Sequence, residues 1–488
     1  MLSGMKRTLA IAPLVLGFSF WPFASCRSLG GARGDGDGIT RAEIEAHVRY
    51  LASDEMRGRM TGSPESARAA EYIAGALAEA GVRPAGEGGS FLEPVPIVRL
   101  VMRVLPALEI VTAAGETISA EPGADFEVSA DALSAGPLPV VAAASREALP
   151  ASADPGAALF VDGSVGDRRQ WLRDAGLGDG AGFGLLLRPG SDERRSKMTE
   201  LPPPSRLRLD AERAPRRPSW ITVHGPVLAL FRAGAVASAT LRMRVEKEAV
   251  AAHNVIGVIP GRPAEGGGEA AEALVLTAHY DHIGTAREPA SDGADTDTDT
   301  VFNGADDDAS GVAAVMEIAE EIAAGPAPAR TVVVLLVTGE EVGLLGTEAY
   351  LDAPAIPLAR TVANLNFEMV GRPDELAGGS GALWLTGYEL TNLGAAFAAA
   401  SLRVAPDPRP EQNFFRRSDN FAFVRRGVVA QSLSSFNLHA DYHRTSDEAD
   451  LIDFAHMEAA TRAAFRAVRL VADGAVDPAW IGEPPAAR

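Results

Sequence analysis

From residue 254 onward, short runs made mostly of apolar, strand-forming residues recur: NVIGVI (254–259), ALVLTA (273–278), TVVVLLV (331–337), TVANLNF (361–367) and VVAQSL (428–433). Runs that are apolar at successive positions, rather than at alternate ones, belong to strands buried on both faces, as in parallel sheets. A stretch with apolar residues at helical spacing, 312–322, stands between the second and third runs. The alternation predicts an α/β fold, a doubly wound and mostly parallel sheet flanked by helices. The ligand crevice of such a sheet lies beyond the carboxyl ends of its strands.

Earlier in the chain the pattern differs. Ile44, Val48 and Leu51, then Ala69, Tyr72, Ile73 and Leu77, recur at helical spacing, with Ser63-Pro64 suited to a helix start and Gly81 to its end. Two amphipathic helices with a Gly58-Arg59 turn between them are expected. From about 100 to 246 the apolar runs become short and are broken by Pro and Gly, as in EIVTAAG, LPVVAAA, GAALFVDG and FGLLLRPG. This segment reads as an inserted β-rich domain, with 197–218 an exposed loop. The expected organisation is 39–99 as the first part of a catalytic domain, 100–246 as the insertion and 247–488 as the rest of the catalytic domain.

The first residues change the picture of where the protein works. Lys6 and Arg7 precede an apolar stretch, 8–24, too short to span a bilayer, which reads as an export signal within 1–26. Cys26, the only cysteine, stands directly after it in Phe23-Ala24-Ser25-Cys26. Two readings stay open: a lipoprotein signal with Cys26 bearing a lipid anchor, or ordinary cleavage near Ala24. Either way no transmembrane helix is expected in the mature, periplasmic or extracellular chain. Residues 27–38 are glycine-rich and read as a linker. One cysteine excludes a disulfide framework. A net charge of −20 excludes nucleic acid as a partner, because phosphates would be repelled. It says little about other substrates, and oligomeric state is not legible.

Candidate chemistry gathers at the strand ends. The run 273–278 delivers His279, Tyr280, Asp281 and His282; 331–337 delivers Glu340 and Glu341; 361–367 delivers Glu368; and 428–433 is followed by Tyr442 and His443. Between them lies FNGADDDASG (302–311), whose consecutive Asp306, Asp307 and Asp308 open a helix and would cost a core heavily without a cation or backbone donors. Hydrolysis on two metals about 3.5–4 Å apart needs a bridging carboxylate, a His and a carboxylate for each ion, and a free carboxylate to take a proton from water. His279, one aspartate of the run, Glu340, Glu341, Glu368 and His443 supply this set. Asp281, two residues past His279, is placed to orient its imidazole through the other ring nitrogen. Asp447, four residues past His443, reads as a helix cap near Glu448 in preference to a partner that orients His443. His47, His224, His253 and His456 read as structural, and His282 and His439 as lying outside the ligand set. The acidic loop 291–300 reads as a solvated insertion rather than a calcium site.

With these residues in view, 39–99 and 253–488 resemble the secreted bacterial zinc aminopeptidases, a family that also includes glutamate carboxypeptidase and the transferrin receptor. AHYDH, FNGADDDASG, TGEE, NFEMVG, RSDNF and DYHRTSD carry the likeness. The resemblance implies a zinc exopeptidase fold with two zinc ions per chain. It makes Asp307 the bridging ligand, His279 and Glu368 the ligands of one ion, Glu341 and His443 those of the other, and Glu340 the general base. It also implies a cis peptide after Asp307, an oxyanion-stabilising Tyr442, a substrate-contacting Arg417 and a protease-associated-like insertion. Many members have Asp where this chain has Glu368; the longer side chain is expected to reach the metal from a slightly withdrawn strand end. The implied function is an exported aminopeptidase acting on peptides. Alternatives on the same scaffold are a carboxypeptidase, a dipeptidase, a glutaminyl cyclase with a single zinc, or a catalytically silent binding module.

Overall fold

The computed structural model describes residues 38–128, 134–178, 180, 182–190, 205–210, 220–263, 270–286 and 299–485. The export signal, Cys26, nearly all of the linker and 291–298 of the acidic loop lie outside the described residues.

The five apolar runs are strands of one nine-stranded sheet. Its order is Arg83–Pro84, His253–Ile259, Thr331–Val337, Ala273–His279, Thr361–Phe367, Val429–Ser434, Leu383–Leu385 and Val404–Pro406, with Leu92–Pro94 also paired to His253–Ile259. The four central strands, from Thr331–Val337 to Val429–Ser434, run parallel, and antiparallel neighbours flank them. The reason for the unbroken apolar runs is visible in the packing. Val332, Val334 and Leu336 enter one core, and Val333, Leu335 and Val337 enter another on the opposite face. The first core is covered by helices Arg41–Leu51, Pro64–Glu79, Gly311–Ala324 and Phe454–Ala472, the second by Leu345–Asp352 and Asn420–Arg425. A strand buried on both faces has no polar side to show.

Residues 97–250 build a second nine-stranded sheet around the long antiparallel ribbon of Ile97–Thr112 and Val236–Val250. It is rich in strands, as expected, but not wholly antiparallel or without helices. Strands Ala135–Ala143, Ala158–Val161, Leu185–Pro189 and Trp220–Val223 are parallel, and two helices, Val165–Asp174 and Gly225–Arg232, accompany them. Ser164 and Asp167 form a reciprocal cap at the first helix, whose polar sequence hid it. The expected loop 197–218 also contains a strand: Ser205–Leu209 pairs with Ile97–Val101, turning Leu207 and Leu209 toward Val95 and Ile97. Among the described residues no helix is long and apolar enough to cross a membrane.

Candidate metal centre

Parallel pairing sets His279 beside Val337, so the residues that follow these two strands leave the sheet at the same edge. After Val337 the chain turns through Gly339, whose φ of +76° suits a residue without a side chain, and presents Glu340 and Glu341. Glu368 directly follows Phe367, the last residue of the next strand. Between strand and helix, Ala305–Ser310 forms a helical turn broken at Asp307 and Asp308, joined by a cis peptide bond.

The three aspartates do three different things. Asp306 accepts the amide of Gly371 at 2.8 Å and lies 3.0 Å from His439 Nε2. Asp308 accepts the amides of His279 (3.3 Å), Met369 (3.0 Å) and Gly311 (3.1 Å), tying both flanking strand ends to the helix. Asp307 is left for the centre, with His279 Nε2 3.2 Å from Oδ1 and His443 Nε2 3.1 Å from Oδ2. His279 Nε2 also lies 3.4 Å from Glu368 Oε1, and His443 Nε2 3.3 Å from Glu341 Oε2. Two donors on one tetrahedral zinc, each bonded at about 2.0–2.1 Å, stand about 3.3 Å apart. The spacing therefore fits two ions sharing Asp307.

Hydrogen bonding does not account for it. His279 Nε2 and Glu341 Oε1 are buried without a hydrogen-bond partner although opposite charges surround them, so their lone pairs face a common space rather than each other's protons. Atoms from His279, Asp307 and Glu368, and from His282, Asp307 and Glu341, form two groups, each with its donors within 4.8 Å of one another. The donor chemistry, imidazole with carboxylate, suits zinc.

Electrostatics agree. Burial raises the carboxyl of Asp307, but the imidazoles of His279 and His443 outweigh it and hold Asp307 far below the usual carboxylate range. Glu340 is different: burial first, then Glu368, push it well above that range. Its carboxylate belongs to neither donor group.

Three placements depart from the sequence expectations. The nearest acceptor for His279 Nδ1 is the backbone carbonyl of Asp281, at 3.0 Å, with the carboxylate farther off at 3.9 Å; the carboxylate accepts the amide of Glu340 (3.2 Å) and the hydroxyl of Thr61 (2.7 Å). Position 281 has already turned out of the strand, which reverses the roles of its two oxygen-bearing groups. Asp447 is not a helix cap. Fully buried, it accepts the amides of Asp306 (3.1 Å) and Asp307 (3.1 Å) and binds Arg372. His282 lies inside the cluster, 2.8 Å from Glu341. Its three-residue spacing from His279, just past a strand end, was the available signal.

Sequence reading also passed over Arg59, a fully buried guanidinium that donates to the carbonyls of Leu51, Tyr280, Asn303 and Gly304. Burial pushes it down to about 10, so it stays protonated and opposes the nearby carboxylates. Tyr442 stacks on His443 at 3.9 Å, and Arg417 lies over Phe414. Both line a cleft with Met369, Trp384, Phe436 and the carboxylates of the centre.

Asp447→Ala would strand two buried amides, costing about 1–3 kcal/mol each. A clearly lower melting temperature of the metal-free protein is expected, with a smaller drop for Asp447→Asn. Unchanged thermal unfolding of the alanine variant would contradict this role.

Residues 254–468 match the sequence model of Peptidase family M28. Among curated proteins none matches by sequence. Of solved structures, an aminopeptidase from Aneurinibacillus sp. strain AM-1 superposes with a TM-score of 0.55 at 19% identity, covering 90% of this chain and 95% of that one. A zinc aminopeptidase from Bacillus subtilis (TM-score 0.47, 16% identity, 90% and 96% covered) is also similar. So is a glutaminyl cyclase from Porphyromonas gingivalis (0.42, 11%, 88% and 98%).

Proposed function

We propose that this chain, whose residues 254–468 match the sequence model of Peptidase family M28, is an exported exopeptidase that removes N-terminal residues from peptides with two zinc ions. The observation that carries the reading is Asp307 standing between two imidazoles, each with its own second carboxylate. His279 and Glu368 would hold one ion, Glu341 and His443 the other, with Asp307 common to both. Two separate donor groups favour this over a single-zinc chemistry.

Zinc, when bound, lowers the pKa of ligated water toward neutrality and polarises a carbonyl. The chain supplies the rest. Glu340 takes the proton of the attacking water and returns it to the departing amine; its raised affinity for protons suits a base working near neutral pH. Asp281, fixed by Thr61, holds the backbone of Glu340 in place. Ser418 donates to Glu368 at 2.5 Å and so orients that carboxylate. From the cleft wall Tyr442 would donate to the developing oxyanion and Arg417 would contact substrate. Trp384, Phe414, Phe436 and Met369 give the same cleft an apolar wall against which a substrate side chain can pack. Export rests on the apolar leader after Lys6 and Arg7.

The test is a panel of aminoacyl anilides with free and blocked N-termini, assayed before chelation, after it, and after zinc is restored. Hydrolysis of free N-termini alone, abolished by chelator and recovered with zinc, is expected. Equal rates on blocked substrates would refute the aminopeptidase assignment, and full activity in chelator would refute the metal.

A further inference from the structure

The centre holds one imidazole more than two three-donor sites need. The His282 side chain is completely buried, yet neither of its ring nitrogens has a hydrogen-bond partner. Nδ1 lies 2.8 Å from Glu341 Oε1 and 3.9 Å from Asp307 Oδ2, and Glu341 Oε1 is itself unpartnered. The two atoms stand within hydrogen-bond distance, yet neither is the other's hydrogen-bond partner. A buried imidazole and a buried carboxylate oxygen, close together and both unsatisfied, are what a cation between them leaves when it is taken away.

His443 meets the same two carboxylates from the other side, through Oδ2 of Asp307 and Oε2 of Glu341. The two rings stand edge to face, their centroids 5.8 Å apart. They are not equivalent. The side chain of His443 is 37% exposed. His282 is wedged where residue 304 must lack a side chain, since a Cβ there would fall 2.6 Å from its ring. Its strand-like bridge to Met60 and its amide hydrogen bond to the carbonyl of Arg59 fix the backbone as well.

We propose that His282 Nδ1 is a direct ligand of the ion held by Asp307 and Glu341, giving that ion four protein donors. His282 is its buried anchor and His443 its exposed, exchangeable donor. The inference rests on the two-zinc reading and deepens it.

Zinc-edge X-ray absorption of the fully loaded wild-type chain counts the imidazoles directly. Three imidazoles shared by two ions are expected; two would overturn the inference. In parallel, zinc titration by calorimetry compares wild type with His282→Asn, whose side-chain amide could donate a hydrogen bond to Glu341 but lacks the imidazole nitrogen that would bind the ion. Removing an outer partner of a ligand costs about 10–100-fold in metal affinity. A direct ligand should cost more, so a loss beyond 100-fold confined to the second ion is expected. Second-ion affinity equal to wild type would overturn the inference while leaving the two-zinc reading intact. A wild-type chain that binds only one ion would remove both. Because the absorption measurement uses the unaltered protein, a His282→Asn chain that failed to fold would leave the ligand count to decide.

Discussion

Glu340→Gln is expected to lose about 10²–10⁴-fold in kcat/KM, the range a positioned general base contributes, while retaining both zinc ions. The amide keeps the size and shape of the side chain but cannot accept a proton. Metal content should hold because Glu340 belongs to neither donor group. The same change should not lower stability. Burial, with Glu368 beside it, raises the pKa of Glu340 in the folded chain above its unfolded value, so the ionised side chain is held less well folded than unfolded. A group raised in this sense costs stability above its unfolded pKa, and a neutral amide removes the cost. The combination of lost activity, retained zinc and an unchanged or higher melting temperature separates a catalytic role from a structural one. Turnover near that of wild type would refute the assignment, and loss of zinc would move Glu340 into the ligand set.

Asp307→Ala should be the most damaging single change to the centre. Its two oxygens face different imidazoles, at 3.2 and 3.1 Å, so on the proposed two-zinc reading one substitution would take a donor from both ions at once. It also leaves His279 and His443 without the carboxylate that most directly opposes their charge. Elemental analysis after gel filtration is expected to show zinc falling from two per chain to none, with activity at background. His443→Ala, by contrast, should affect one ion only. Two zincs retained by Asp307→Ala would show that the aspartate does not bridge.

Much of this centre was legible because its chemistry sits at the ends of runs that can only be doubly buried strands. Once 273–278, 331–337 and 361–367 are strands of one parallel sheet, His279, Glu340, Glu341 and Glu368 must emerge at one edge. What was not legible depends on where the chain goes after it leaves the sheet. His282 is three residues past a strand end, where period-two reasoning no longer says which way a side chain faces. Asp447 sits 141 and 140 residues from the amides it accepts, and nothing local distinguishes that brace from a helix cap. Arg59 looked like a turn residue because its partners are backbone carbonyls, which have no sequence signature. In the second sheet the apolar runs were found, but the helix Val165–Asp174 is mostly polar and its apolar stripe too thin to announce itself.

The account stands on a pair of ions flanking Asp307. Anomalous diffraction from crystals of the zinc-loaded protein, recorded above and below the zinc edge, tests this directly. Two peaks about 3.5–4 Å apart are expected, one beside His279 and Glu368 and the other beside Glu341 and His443. A single peak, or peaks away from Asp307, would contradict it.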